Sequence, residues 1–243
     1  LASRTVIEVL EYLAERQNEF DRHLFVARAL EARVDNVVGD DASQIEVRHV
    51  NTIKSGLLIH LYNIVEATTV RTLEVVGQTI VTEKPKQWRE AVLKEWVRSA
   101  IWDGTERLGD GAVARLVGLS SVLASGEAPE AFRIKGEPGS WDDEAIKKVA
   151  ARLGCQLVLP AGIRRAAYEQ SYRNEMTAMR YLASRRNAIA HGATTFEEGA
   201  HDHTLDEISE LAGKILPYLR AVTESYQSYL DSKVFLEPLG EPA

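Results

Sequence analysis

Residues 49–83 read HVNTIKSGLLIHLYNIVEATTVRTLEVVGQTIVTE. Ile53, Leu57, Leu61, Ile64, Val65 and Thr68 recur at intervals of three and four, which places them on one face of a helix. Leu58, Ile59 and Tyr62 widen that face, so a helix buried on more than one side is expected. The same period runs outward in both directions. Upstream, Val6, Val9, Leu10, Leu13, Phe20, Leu24, Ala27, Leu30, Val34 and Val37 predict a helix over about 3–38, stopped by Gly39-Asp40-Asp41.

Downstream, Pro85 suits the first turn of a helix carrying Trp88, Val92, Trp96, Ile101 and Trp102. Gly109 to Gly111 interrupts it, and a short helix follows over about 112–123. Residues 125–140, SGEAPEAFRIKGEPGS, read as a loop too dependent on its flanks to split two domains. Asp142 caps the next helix and Gly154 ends it. A helix over about 161–190 follows. Thr204 to Glu207 then forms a capping box opening the last helix, which Pro217 should kink. No strand, hairpin or repeat is expected. Long helices joined by short connections mean an all-α bundle, with antiparallel neighbours and one domain over 1–243.

Composition narrows the class. The chain is 45% hydrophobic and 27% charged, enough for a substantial core. A net charge of -7 argues against a protein that coats nucleic acid without selection, though not against a local basic patch. The one cysteine, Cys155, excludes an internal disulfide framework and suits a reducing, cytoplasmic compartment. It follows a helix-ending glycine without an obvious base, and an inert thiol is expected. The opening LASRTVIEVLEYL lacks the long apolar run of a signal peptide, and no later segment is apolar enough to span a membrane.

Residues 180–192 read RYLASRRNAIAHG. Arg186, four intervening residues and His191, with Asn187 after the arginine and Gly192 after the histidine, resemble the R-x4-6-H motif of the HEPN superfamily. Residues 56–76 are similar to the apolar early helix of several prokaryotic HEPN branches, which carries an acid facing the motif, here Glu66. Residues 139–154 are similar to the capped helix preceding the motif in RNA-ligase-linked (RiboL-PSP-HEPN-like) and restriction-linked branches. The resemblance covers roughly residues 50–230. It implies a metal-independent ribonuclease without a cofactor, acting in toxin–antitoxin, abortive-infection or restriction-linked defence. It further implies a homodimer and, as a possible partner, an antitoxin or other defence protein. The alternative is a non-catalytic HEPN-like module that binds nucleotides or proteins.

The residue types suit that chemistry. A histidine titrating near neutrality can take the 2′-hydroxyl proton or protonate the leaving 5′-oxygen. A permanently charged guanidinium can fork onto the phosphate oxygens, which points to Arg186. Asn187 and Glu66 would orient the pair. Between Arg164 and Arg186 stand six arginines against Glu169 and Glu175, and Arg173, Arg180 and Arg185 are the candidate RNA-binding cations. A solvated helix face with local ion pairs is the plainer reading of that strip.

Arg186 and His191 lie five apart, about 140° around an ideal helix. Either the helix ends near Ala190 and frees His191, or two chains line one cleft with a motif each. Apolar surplus over residues 57–65 would help close such an interface. Plainer readings exist for each part. His191 and Gly192 make an ordinary helix end, Glu66 an ordinary ion-paired acid, and His201 and His203 an exposed pair rather than a metal site. The tryptophans are spaced for a core face rather than for stacking bases.

Overall fold

The computed structural model describes residues 5–35, 46–101, 109–136, 140–170 and 172–238. Eight α-helices are found among them, with no strand beyond two isolated bridges. They are α1 (Val6–Asp35), α2 (Val47–Ile80), α3 (Glu90–Ile101), α4 (Asp110–Ser125), α5 (Asp143–Leu153), α6 (Ala161–Tyr168), α7 (Ala178–Ala190) and α8 (Leu205–Asp231). The expected stop at Gly39 to Asp41 and the side chain of Trp102 lie outside the described residues.

The three long helices α1, α2 and α8 pack on one another and hold most of the core. Helix α1 runs antiparallel to α2: Arg71 lies over the Tyr12 ring, His23 meets His60, and Lys54 pairs with Glu31. Helix α8 runs parallel to α2, with Thr72 facing Thr223 and Glu83 pairing with Lys233. The bundle is therefore not antiparallel throughout, because residues 81–204 carry the chain back to the end from which α2 started. Many β-branched residues give α2 only modest intrinsic helicity, so burial holds it. Leu57, Leu58, Leu61, Tyr62, Ile64 and Val65 are all buried within the chain. The apolar surplus expected over 57–65 is thus consumed internally and is not left over for a partner.

Two expected helices are broken. Pro85–Gln87 is a separate 3-10 turn, and α3 starts only at Glu90. Between them the backbone pairs with the chain's end: Arg89 N–H donates to the Phe235 carbonyl, and Glu237 N–H to that of Gln87. Trp88 is thereby driven inward, edge-on to Trp96 at 5.5 Å and stacked on Phe132 at 6.0 Å. Helical spacing could not show this because the pairing partner is almost 150 residues away. The second break divides 161–190 into α6 and α7. Asn174 and Glu175 adopt left-handed backbone (φ 51° and 56°), and Thr177 caps α7 by accepting from Arg180 N–H at 3.2 Å.

The other caps follow the sequence. Asp142 accepts from Ala145 N–H at 2.8 Å, and Gly154 closes α5 at φ 69°. Thr204 and Glu207 bond each other's backbone at the start of α8, which continues through Pro217. The 126–136 loop is no free linker, since it buries Phe132 and Ile134. It lies directly on α2: a Cβ on Gly77 would sit 2.0 Å from the Phe132 carbonyl oxygen.

Candidate active site

Helix α7 presents different residues to each side. Met179, Tyr181, Leu182, Ala183 and Ile189 are buried and fix its rotation. That leaves Ser184 exposed, with Arg186 and Asn187 half-buried at the margins. Thr177, which caps α7, also donates to Asp143 Oδ1 at 2.6 Å, tying the starts of α7 and α5 together. Burial holds the Asp143 carboxyl above its usual range, partly offset by that bond.

Arg186 is clamped from three directions. Its guanidinium is 3.7 Å from the Glu66 carboxylate, lies 4.8 Å over the Tyr62 ring, and donates to Asn187 Oδ1 at 3.1 Å. Two of these partners are themselves anchored by consecutive residues ahead of α5. Asn187 Nδ2 donates to Ser140 Oγ at 2.7 Å, and Trp141 N–H donates to the Tyr62 hydroxyl at 3.0 Å. The Glu66–Arg186 pair is half-open to solvent and worth at most about 1 kcal/mol of stability, so its effect is to aim the arginine. Sequence spacing missed Tyr62, Ser140 and Trp141. Tyr62 was the most legible, standing one turn before Glu66 on the same face.

His191 is the C-cap of α7, donating its backbone N–H to the Asn187 carbonyl at 3.0 Å. Gly192 follows at φ 71° and turns the chain away. The imidazole is exposed and carries no hydrogen bond among the described residues. Five residues of helix still separate it from Arg186 by about 140° around the axis. The helix end exposes His191 without bringing it onto the arginine's face.

The basic strip divides. Arg173 pairs with Glu207 and Asp202, and Arg185 with Asp202, so they act as struts that tie the turn before α7 and α7 itself to the start of α8. Arg180 remains exposed and lines a groove of about 520 Å³ with Ser140, Lys148, Ser184 and Asn187. Behind the struts lies a closed ring that the sequence did not reveal. Arg185 Nε donates to the Tyr181 hydroxyl at 2.8 Å, Tyr181 meets His203 Nε2 at 2.9 Å, and His203 Nδ1 meets Asp202 Oδ1 at 3.0 Å. Burial depresses the His203 pKa, against the raising effect of Asp202. His201 is exposed and turned to the Glu198 carbonyl. No group of three or more His, Cys, Asp or Glu side chains among the described residues is placed to hold a metal.

The model of the HEPN_MAE_28990-like HEPN family matches residues 7–235. This chain belongs to the HEPN superfamily. The match names the HEPN_MAE_28990-like branch, where residues 139–154 resembled RNA-ligase-linked HEPN proteins. No curated protein and no solved structure matches the chain. HEPN membership suggests a nuclease or a nucleotide-binding module. No helix among the described residues is long and apolar enough to cross a membrane.

Proposed function

We propose that this HEPN protein is a metal-independent endoribonuclease of a toxin–antitoxin or antiphage system. The observation that carries the reading is the Arg186 clamp beside an open helix end bearing a free, exposed imidazole. Arg186 takes the non-bridging oxygens of the scissile phosphate, where negative charge builds. A histidine base removes the 2′-hydroxyl proton as that oxygen attacks phosphorus. The bond to the 5′-oxygen breaks, and that oxygen gains a proton from a second, protonated His191 supplied by another copy of the chain. The products are a 2′,3′-cyclic phosphate and a 5′-hydroxyl. Asn187 and Glu66 position the arginine, and Arg180 holds backbone phosphate.

The angular separation of Arg186 and His191 favours a homodimer in which one protomer's histidine works beside its partner's arginine. An antitoxin or other defence protein would restrain the cleft. The test is cleavage of RNA in excess EDTA by the wild type, Arg186→Ala and His191→Ala. Each substitution should abolish cleavage and leave helical content unchanged. A His191→Ala protein with full activity and the same products would overturn the assignment. Mixing the two inactive proteins should restore part of the activity if the residues act across an interface. The alternative, a non-catalytic module that binds nucleotides or proteins, would leave RNA uncut in this assay with either wild type or variants.

A further inference from the structure

A second hollow, of about 890 Å³, opens between α2 and the 126–136 loop, which precedes the strap formed by Ser140 and Trp141. On α2 it begins at Val70, one turn or about 6 Å beyond Glu66. Ser140 lines the Arg180 groove and its neighbour Trp141 lines this hollow, so the two meet at the strap that clamps Arg186. Its apolar lining residues include Val70, Leu73, Phe132 and Trp141. They are also fixed. Phe132 stacks on buried Trp88, and its carbonyl lies so close to α2 that only a glycine fits at position 77.

Two carboxylates, Glu74 and Glu130, share the lining with two cations, Arg133 and Lys135. Their charges offset, so the hollow does not select a bare phosphate. A neutral, flat group with a hydrogen-bonding edge fits a hollow whose lining mixes apolar faces with polar groups, the exposed Gln78 amide among them. We infer that this hollow is a nucleobase subsite for the RNA strand whose phosphate sits at Arg186, and that it sets base preference. This rests on the ribonuclease reading. The strand would cross the strap with its backbone toward Arg180 and one base in the hollow.

The test uses 2′-O-methyl tetranucleotides of each single base, which bind without being cleaved. Wild-type protein is compared with Val70→Trp and Gln78→Trp, both exposed positions on α2 whose enlargement fills the hollow and spares the core. Stacking accepts any base, so preference comes from the hydrogen-bonding edge, where one bond of the usual strength changes affinity by up to about tenfold. The wild type should therefore prefer one base by about that factor, and both variants should bind all four alike. Both should still cleave long RNA, at altered positions. A wild type without base preference, or variants that retain it, would overturn the subsite. If the preference is present and responds to the variants while no RNA is cleaved, the subsite stands and the ribonuclease reading falls.

Discussion

Tyr181→Phe tests the ring behind the motif helix. A carboxylate only accepts, so His203 Nδ1 must carry the hydrogen facing Asp202, and Nε2 must accept from the Tyr181 hydroxyl. The Tyr181 oxygen in turn accepts from Arg185 Nε. Deleting one hydroxyl therefore breaks two bonds. Arg185 keeps Asp202 and is reachable by water, whereas the His203 side chain is fully buried. A buried acceptor stripped of its donor costs about 1–3 kcal/mol, so roughly 2 kcal/mol is expected. For a chain of this size that lowers Tm by about 4–8 °C, measurable by calorimetry near neutral pH.

The pH profile gives a second readout. Burial holds the folded His203 pKa below the unfolded value of about 6.5. The unfolded state then binds more protons, so this contribution is full above the unfolded value and is lost as pH falls below it. Asp202 acts in the same direction lower down: burial raises its pKa, but His203 and Arg185 outweigh that and hold it low. Without the donor to Nε2, the folded His203 value should rise toward the ordinary one, and the slope below about pH 6.5 should flatten. A variant Tm within roughly 1 °C of wild type, together with an unchanged slope, would refute the closed ring.

The remaining predictions concern the clamp, the loop and the thiol. Glu66→Gln and Ser140→Ala should each lower kcat up to about tenfold with KM and Tm little changed, because they loosen an arginine rather than a core. A fall in Tm with intact kcat would contradict the positioning role. Gly77→Ala should cost about 2–3 kcal/mol in urea unfolding, since the Phe132 backbone must move for a methyl to fit. An unaltered midpoint would mean that the loop yields freely. Burial pushes the Cys155 thiol up to about 12, so iodoacetamide at about pH 8 should modify it only in denatured protein. Stoichiometric labelling of native protein, read by mass spectrometry, would contradict that environment.

The sequence by itself determined the long helices and, through the HEPN resemblance, the motif, because both are carried by short local stretches. The apolar period of α2 and α8, the caps Asp142, Gly154 and Thr204, and the run from Arg186 to Gly192 need only neighbours three or four residues away. Glu66 was singled out by the resemblance to the early HEPN helix that carries an acid facing the motif, and it lies 3.7 Å from Arg186. Only the tertiary structure decided where Trp88 goes, which arginines stay open, and what holds Arg186. Trp88 is set by backbone pairing with the chain's end, and Arg173 and Arg185 by carboxylates on the far side of a turn. Ser140 and Asn187 stand 47 residues apart and meet only because α5 and α7 share an anchored start. Hydrogen bonds and ion pairs of this kind act over a few ångströms whatever the separation along the chain, so no periodicity announces them.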